Sequence, residues 1–238
     1  MGFNSRFLRA ESSSVIATED PNGGTESGGV TTTGLIADYR VENYGGSGNI
    51  LNDVSGNDLH LNIAGTTYNS TDVYLTGGTA ASQLAQVGTF SISNYTIEGW
   101  FRAPSALNTN SQYMLAVFGQ KLGIKLRNNY GAQTPSGHGI GVTGGFSAGT
   151  TGGGPGVGTG WFHAAVTYNG TYIVYSNGTQ WATGTTSNIG QNPVTNQTNS
   201  IWITNSSDIQ WGQVRFYNSV LSASQISSNK NGTDTDYS

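Results

Sequence analysis

Seven acidic residues lie between Leu35 and Asn229, and their spacing bears on whether the chain could hydrolyse a glycosidic bond. They are Asp38, Glu42, Asp53, Asp58, Asp72, Glu98 and Asp208. Glycoside hydrolases use two carboxyl groups about 5 to 10 Å apart, which positions i and i+2 of one strand would supply. No two of these acids have that spacing, although a pair from different strands stays open. The sequence therefore predicts a protein without enzymatic activity.

The three histidines, His60, His138 and His163, lack the close spacing that brings two imidazoles onto one metal ion. His163 lies in the stretch "GWFHAAVTYNG", which reads as a strand that enters a turn. Strand alternation places four apolar residues on the face opposite His163: Phe162, Ala164, Val166 and Tyr168. No acid or nucleophile neighbours His163 in sequence. A packed, hydrogen-bonded imidazole is therefore favoured over a catalytic base.

The stretch "NDVSGNDLHL", residues 52–61, brings several oxygen-bearing side chains together. Asp53, Asn57 and Asp58 are candidate ligands for a hard cation such as calcium. The same side chains could instead cap the backbone in an Asx turn that precedes a strand. The spacing differs from that of an EF-hand loop, and calcium is the one cofactor that the sequence suggests.

Sugar binding would need aromatic faces at the surface, because apolar sugar faces pack against them. Candidates in or next to predicted loops are Tyr130, His138, Phe146 and Trp181. Phe146 belongs to residues 144–160, where nine of seventeen positions are Gly, a composition typical of a long loop. Each of these side chains could also serve ordinary packing.

The elements that must position these residues are predicted to be strands. From Leu35 onward, short apolar runs alternate with Gly, Asn, Ser and Pro clusters, as in antiparallel all-β sandwiches. In "KLGIKLRN", Leu122, Ile124 and Leu126 alternate with charged residues, which predicts a strand with one buried face. The Asn-Gly pairs at 169–170 and 177–178 predict a three-stranded meander with two type I′ turns.

One short helix is predicted in "LSASQISSN". Ser222 is its expected N-cap, and Gln225, three residues later, completes a capping box. Leu221 and Ile226 are the apolar residues that would hold the helix against the sheet.

Composition excludes several kinds of partner. Only 9% of the 238 residues are charged, the net charge is -4, and no basic cluster offers contacts to phosphates, so nucleic acid is not expected to bind. No stretch is long and apolar enough to span a membrane. The chain has no Cys, which excludes disulfides and thiolate metal sites. Its start, "MGFNSRFLRAESSS", lacks the apolar segment of a secretory signal.

Residues 1–34 are predicted to form an extended N-terminal arm, because residues 11–34 are rich in Ser, Thr and Gly and cannot fold alone. A small apolar and basic cluster could anchor this arm to a partner: Phe3, Arg6, Phe7, Leu8 and Arg9. A solvated tail is the alternative. The folded domain is expected to cover residues 35–229, followed by a tail at 230–238.

Four segments, taken together and in order, resemble the laminin-G-like, concanavalin A-like jelly-roll domains. They are "GLIADYRVENYGGSGNILNDVSGNDLHLNIAG", "YTIEGWFRAP", "GWFHAAVTYNGTYIVYSNGTQWATG" and "GQVRFYNSVLSASQIS". The resemblance covers about residues 34 to 229. It implies an antiparallel two-sheet jelly-roll sandwich, a structural role for His163 and a framework position for Glu98. Gly212 and Gln213 depart from it, because the family often has Asp-Glu there, and an acidic residue that could help hold calcium is missing.

The resemblance implies a module for recognition or assembly. We expect a non-enzymatic virion structural protein, such as a bacteriophage capsid decoration, fibre or tail component. Its jelly roll would be displayed outside the particle, and the arm would bind other virion proteins or copies of the same chain. The alternative is a lectin module that binds cell-surface or extracellular polysaccharide, so that host-surface glycans are the partners. Either protein would act in the virion or outside cells.

Overall fold

The computed structural model describes residues 29–77, 85–86, 94–103, 112–118, 122–128, 138–142, 160–185, 200–204, 206–233 and 237. These residues form antiparallel strands, one short 3-10 helix and one α-helix near the C-terminus. The predicted all-β jelly-roll sandwich with one short C-terminal helix is therefore confirmed. Most of the expected N-terminal arm, residues 1–28, lies outside the described residues.

Eight strands make up the larger sheet. They are β1 (Leu35–Arg40), β4 (Thr67–Asn69), β5 (Tyr74–Thr76), β7 (Tyr95–Arg102), β11 (Phe162–Tyr168), β12 (Thr171–Ser176), β13 (Thr179–Thr185) and β15 (Gln210–Tyr217). Their spatial order is β13-β12-β11-β7-β15-β5-β4, and β1 also pairs with β15. Strands far apart in sequence are therefore neighbours at the centre of this sheet.

The smaller sheet has the order β10-β9-β8-β14-β6. Its strands are β6 (Ala85–Gln86), β8 (Gln112–Phe118), β9 (Leu122–Asn128), β10 (His138–Val142) and β14 (Ser200–Ile203). A separate pair joins β2 (Ile50–Leu51) to β3 (Leu61–Asn62), and a 3-10 helix spans Val41–Asn43. The strand predicted in "KLGIKLRN" is β9, and its Ile124 and Leu126 are buried.

The main core lies between the inner faces of the two sheets. Ile97, Phe101 and Val166 reach it from the larger sheet, and Leu115 and Ile201 reach it from the smaller one. Each fully buried Ile, Leu or Phe side chain contributes about 1.5–3 kcal/mol of transfer free energy. Because side chains alternate along a strand, the residues between those of the inner face lie on the outer face of the larger sheet.

The meander β11-β12-β13 was predicted correctly, but only one of its two turns has the predicted type. Asn177 and Gly178 have φ of 48° and 76°, as a type I′ turn requires. In the other turn only Gly170 has a positive φ, and the strands pair around a three-residue loop through Tyr168 and Tyr172. The side chain of Asn169 accepts a hydrogen bond from the backbone N–H of residue 171 there, which favours an Asx turn over type I′.

Helix α1 (Ala223–Thr233) begins as the capping box predicts. Ser222 N–H donates to Gln225 Oε1 (2.8 Å), and Gln225 N–H donates to Ser222 Oγ (3.2 Å). Leu221 and Ile226 are buried in a second apolar cluster against the outer face of the larger sheet. The helix thus covers part of that face.

Folded structure extends beyond both of the expected domain boundaries. Thr31 is buried, and its N–H donates to Asn229 Oδ1 of the helix (2.7 Å). The helix continues past Asn229 to Thr233, and Tyr237 is buried against Trp100. Contacts with α1 and with the outer face of the larger sheet hold these end segments in place.

Candidate functional site

Glu98 is the centre of a buried polar network between α1 and the outer face of the larger sheet. Its Oε1 atom accepts hydrogen bonds from Arg215 Nη1 (3.2 Å), Tyr217 Oη (3.1 Å) and Asn229 Nδ2 (2.8 Å). Burial raises the pKa of Glu98, but the neighbouring His163, Arg215 and Asn229 lower it more strongly, so that the pKa lies below its usual value. The carboxylate is therefore charged at neutral pH.

Asp38 of β1 is a second carboxylate in this network. Its Oδ2 atom lies 3.3 Å from Arg215 Nε, and its Oδ1 atom accepts a hydrogen bond from Gln213 Nε2 (3.1 Å). Asp38 and Glu98 are thus a pair of acids from different strands, an arrangement that the sequence left open. They flank a guanidinium, and their side chains are only 1% and 0% exposed. A polysaccharide cannot reach them, so the network is suited to holding strands together.

His163 is packed inside the same network, as the sequence predicts, but its ring does not make the predicted hydrogen bonds with the described residues. It is buried, and its ring lies 5.4 Å from the ring of Trp100 in an edge-on arrangement. Nε2 lies 3.6 Å from Glu98 Oε2, and neither ring nitrogen has a hydrogen-bond partner among the described residues. Sequence reasoning missed this acid, because it belongs to β7, the strand beside β11.

The candidate calcium ligands belong to a tight turn next to β1. Asp53 Oδ1 accepts hydrogen bonds from the N–H groups of Asp38 and Ser55 (both 2.9 Å). Its Oδ2 atom accepts from Ser55 Oγ (2.7 Å) and from the N–H of Leu59 (3.2 Å). A cation would have to compete with all of these donors, and the geometry is that of the Asx-turn alternative.

The other two candidate ligands do not complete a cation site in the described structure. Asn57 donates its amide to the carbonyls of Leu35 and Ile36 (3.2 and 3.0 Å), and Asp58 has a positive φ of 57° in the same turn. Within the part of the chain that is described, no three His, Cys, Asp or Glu side chains form a cluster that could hold a metal ion. Calcium binding at this turn stays a prediction.

Two of the four sugar-binding candidates taken from the sequence, Tyr130 and Phe146, lie outside the described residues, as do the anchor residues of the arm. Only the backbone of His138, the first residue of β10, is described. Trp181 of β13 is partly buried and packs against the main core. Its Nε1 atom is buried without a partner in the described structure, but the side chain as a whole is partly exposed, so Trp181 stays a candidate.

A pocket of about 200 Å³ lies between the Asp53 turn and the first described residues of the chain. Its polar wall includes Asp38, Arg40, Ser55 and Asn57. The Arg40 guanidinium already pairs with Asp38 Oδ2 at 2.7 Å. The pocket is smaller than the roughly 300 Å³ that small-molecule sites usually need, and its charges are neutralised.

A second site, which the sequence reasoning missed, lies at one end of the outer face. Arg102 ends strand β7, and its guanidinium carbon lies 5.0 Å from the ring centroids of both Tyr74 and Trp161. The two rings lie 6.2 Å apart in an edge-on arrangement. Both aromatic side chains are partly exposed. We call Tyr74, Arg102, Trp161, Gln210 and Asp72 the aromatic–arginine cluster.

Polar groups complete the cluster. Arg102 Nε donates a short hydrogen bond to Gln210 Oε1 (2.6 Å), and Gln210 faces Arg102 across the β7-β15 ladder. Arg102 Nη2 lies 3.9 Å from Asp72 Oδ2, a loose ion pair with an exposed carboxylate. Planar amide, guanidinium and carboxylate groups are therefore next to aromatic faces.

The turn that supplies two members of the cluster has a strained backbone. Val73, between Asp72 and Tyr74, has a φ of 51°, a conformation that a β-branched residue rarely adopts. Its side chain packs against the main core, which holds the residue in this conformation. Residues with strain of this kind are concentrated at functional sites in proteins.

The sequence concealed this cluster because its members come from four separate segments. Only the strand pairing of β5, β7 and β15, together with the residue before β11, brings them together. The sequence does offer one clue, since strand alternation places Trp161 on the same face as His163. The sequence does not show where α1 ends or how β7 and β11 pair, so it could not show that this part of the outer face is partly exposed.

Comparisons with known proteins agree with this fold. The sequence profile of the concanavalin A-like lectin/glucanase superfamily matches residues 76–227. The chain belongs to this superfamily. Among curated proteins, no sequence matches it.

Solved structures with similar folds include binding domains and an enzyme. The binding domain of Paraclostridial mosquitocidal protein 1 has 17% identity and a TM-score of 0.55, covering 82% of this chain and 51% of that one. The ligand binding domain of botulinum neurotoxin serotype D, in complex with N-acetylneuraminic acid, has 13% identity and a TM-score of 0.58, covering 84% and 51%.

The enzyme is a Trypanosoma rangeli sialidase in complex with 2,3-difluorosialic acid, with 15% identity and a TM-score of 0.59, covering 85% of this chain and 34% of that one. The chain spans about half of the length of the two toxin domains and about a third of the sialidase. At these identities the likeness establishes the fold alone.

These findings establish the superfamily, and they leave the bacteriophage and virion assignment as a prediction. Attachment through residues 1–34 and an extracellular location also stay predictions. No α-helix in the described part of the chain has the length and apolar character needed to cross a membrane.

Proposed function

We propose that this domain is a carbohydrate-binding module without enzymatic activity, and that the aromatic–arginine cluster is its binding site. The observation that carries the proposal is the partly exposed pair of Tyr74 and Trp161, with the Arg102 guanidinium carbon 5.0 Å from each ring centroid. Sugar rings bind to proteins by packing their apolar face on an aromatic ring while polar groups at its edge hydrogen-bond to hydroxyls. The cluster offers both kinds of contact.

The site is also preorganised. Two cation–π contacts and one short hydrogen bond to Gln210 hold the Arg102 side chain, so little side-chain entropy remains to be lost on binding. Gln210 is itself fixed by the sheet ladder. An open surface of this kind suits one or two sugar units of a longer chain.

The distribution of carboxylates supports a binding role over catalysis. Among the described residues, the acids that share a partner are Asp38 and Glu98, and both are buried against Arg215. Asp72 is the acid within the cluster, where it pairs loosely with Arg102. Glycosidases need two carboxyl groups at the bond that they cleave.

The superfamily and one neighbouring structure give further support. The name of the superfamily includes lectins as well as glucanases. The similar botulinum neurotoxin domain is a ligand binding domain in complex with N-acetylneuraminic acid. That ligand belongs to the toxin domain, of which this chain spans 51%, and its position carries nothing over to this chain.

The test is a glycan array probed with the full chain and with two tryptophan variants. We expect Trp161→Ala to lower the signal for the bound glycans by at least about tenfold, because one stacking face is lost. Trp181→Ala is the matched control, since Trp181 packs against the core away from the cluster. Circular dichroism and melting would confirm that both variants are folded.

Two results would contradict the proposal. If the intact chain retains no glycan on a broad array, the module does not bind carbohydrate. If glycan binding survives Trp161→Ala and is lost in Trp181→Ala, the site lies at β13, as the sequence alone suggested.

A further inference from the structure

Arg102 differs from the other arginines whose side chains the structure describes. Arg215 lies against two buried carboxylates, and Arg40 pairs with Asp38 at 2.7 Å. Arg102 has only the exposed Asp72 at 3.9 Å, whose side chain is 54% exposed. Such exposed, loose ion pairs are strongly screened by water. The charge of Arg102 is therefore the least neutralised of the three.

The orientation of Arg102 leaves its far edge available. Nε donates to Gln210 Oε1, which helps to hold the guanidinium carbon 5.0 Å from the ring centroids of both Tyr74 and Trp161. Nη1 has no hydrogen-bond partner among the described residues, and Nη2 has only the loose contact with Asp72. The side chain is 22% exposed, so these nitrogens lie at the edge of the solvent. A guanidinium edge of this kind matches the two oxygens of a carboxylate.

We propose that the aromatic–arginine cluster recognises a sugar that carries a carboxylate, such as a uronic acid or sialic acid residue. This inference rests on the proposed function and names the class of its ligand. The carboxylate pairs with the free edge of Arg102, and the sugar ring packs beside Trp161 or Tyr74. Asp72 then acts as an internal counter-ion that the ligand carboxylate replaces.

The position of Asp72 would allow a ligand carboxylate to replace it as the partner of Arg102. It lies in an exposed turn next to the strained Val73, and it holds Arg102 only at the distance of a loose pair. Moving the Asp72 side chain away costs little in water. Its negative charge nevertheless opposes an anionic ligand, so that removing the charge should favour binding.

The experiment measures the affinity of the full chain for matched pairs of oligosaccharides by titration calorimetry. The probes are oligogalacturonate and its methyl ester, and a sialylated trisaccharide and its methyl ester, which differ only in the charge of the carboxyl group. We expect the acid form to bind at least about tenfold more tightly than its ester in one of these pairs. The preference should weaken as the salt concentration rises.

Three variants locate the preference. Arg102→Gln should remove the difference between acid and ester, and Asp72→Asn should raise the ratio of acid affinity to ester affinity about threefold. Arg40→Gln is the control, because it makes the same charge change at the polar pocket beside β1. Asp72 is exposed, so its variant keeps the test valid even if Arg102→Gln folds poorly.

The failures of the two proposals are distinguishable. Equal binding of acid and ester, or an equal loss of both in Arg102→Gln with no change in Asp72→Asn, overturns the inference and leaves carbohydrate binding intact. An absence of binding to every probe and to the glycan array overturns both. A preference for the acid that depends on Arg40 instead would place the anionic subsite elsewhere and overturn the inference.

Discussion

Replacing Glu98 by Gln would test the buried network with the smallest change of shape. The substitution removes one negative charge from the side chain that accepts hydrogen bonds from Arg215, Tyr217 and Asn229. Its new amide would present donors to neighbours that are themselves donors. Arg215 would keep only Asp38 as a close charged partner.

The size of the effect follows from burial. Removing one partner of a buried ion pair costs about 3–5 kcal/mol, because the remaining charge is left without compensation. Since Asp38 still compensates part of the Arg215 charge, we expect Glu98→Gln to lower the free energy of unfolding by about 3 kcal/mol. For a chain of this size that corresponds to a decrease in Tm of about 6–12 °C.

The assay is urea unfolding at pH 7, followed by tryptophan fluorescence. Asp72→Asn is the matched control, because it removes a carboxylate from an exposed and loosely paired position and should change the free energy by less than about 0.5 kcal/mol. A loss below about 1 kcal/mol for Glu98→Gln would refute the reasoning, because the network would then be replaceable by neutral hydrogen bonds.

The same variant has a pH signature. The folded-state pKa of Glu98 lies below its ordinary value of 4.5, so the unfolded chain binds this proton more readily. The stability contributed by its charge is therefore fully present above pH 4.5 and is lost as the pH falls through the lowered folded pKa. The stability difference between wild type and Glu98→Gln should shrink in acid, and a constant difference down to the acid transition would contradict this assignment.

Two further predictions concern the tyrosines and the helix. Burial raises the pKa of Tyr39, Tyr95 and Tyr217 above the ordinary value of 10, so the free energy of unfolding should fall as the pH rises above 10. Ultraviolet absorbance should show these tyrosines ionising only when the chain unfolds. Ionisation before unfolding would contradict their burial. Ser222→Ala should cost about 1 kcal/mol by removing the N-cap, whereas the exposed mid-helix Ser228→Ala should not destabilise; equal effects in denaturant unfolding would argue against the cap.

Features encoded by local interactions could be predicted from the sequence. The capping box at Ser222 and Gln225 formed as expected, because both partners lie within one helical turn. The alternation along β11 also sorted its residues correctly between the two faces, since the side-chain period of a strand is fixed. Each of these conclusions depends on a few neighbouring residues.

Features that depend on register could not be predicted. The two Asn-Gly pairs look alike in sequence, yet Asn177 forms a type I′ turn and Asn169 does not. The difference comes from the pairing around each turn. Asn177 Oδ1 and N–H bind the backbone of His163 on the neighbouring strand, whereas the Asn169 side chain binds its own loop.

The aromatic–arginine cluster could not be predicted for the same reason, because it also depends on register. Arg102 and Gln210 are 108 positions apart and become partners through the β7-β15 ladder. Candidates chosen from the sequence were aromatic residues near predicted loops, because loops commonly carry binding residues. Here the partly exposed aromatic residues lie on the outer face of the sheet, beside the part that α1 covers.

The structure gives a physical reason for Gly212 and Gln213, the two positions where the sequence departs from the family pattern. A Cβ atom at position 212 would collide with the ring of Tyr237, so Gly makes room for that ring. Tyr237 stacks on Trp100 at 5.2 Å between ring centroids and contacts Trp161 at 5.1 Å. At the next position, the Gln213 amide donates to the carboxylate of Asp38, where Glu would add a third buried negative charge.

The two substitutions therefore act together. The neutral Gln213 satisfies the buried network, and the missing side chain at Gly212 admits Tyr237, which joins that network to the aromatic–arginine cluster through Trp161. The positions where the family often has a candidate calcium ligand here support an aromatic wall instead. This arrangement agrees with the proposal that Arg102 pairs directly with the carboxylate of an anionic sugar.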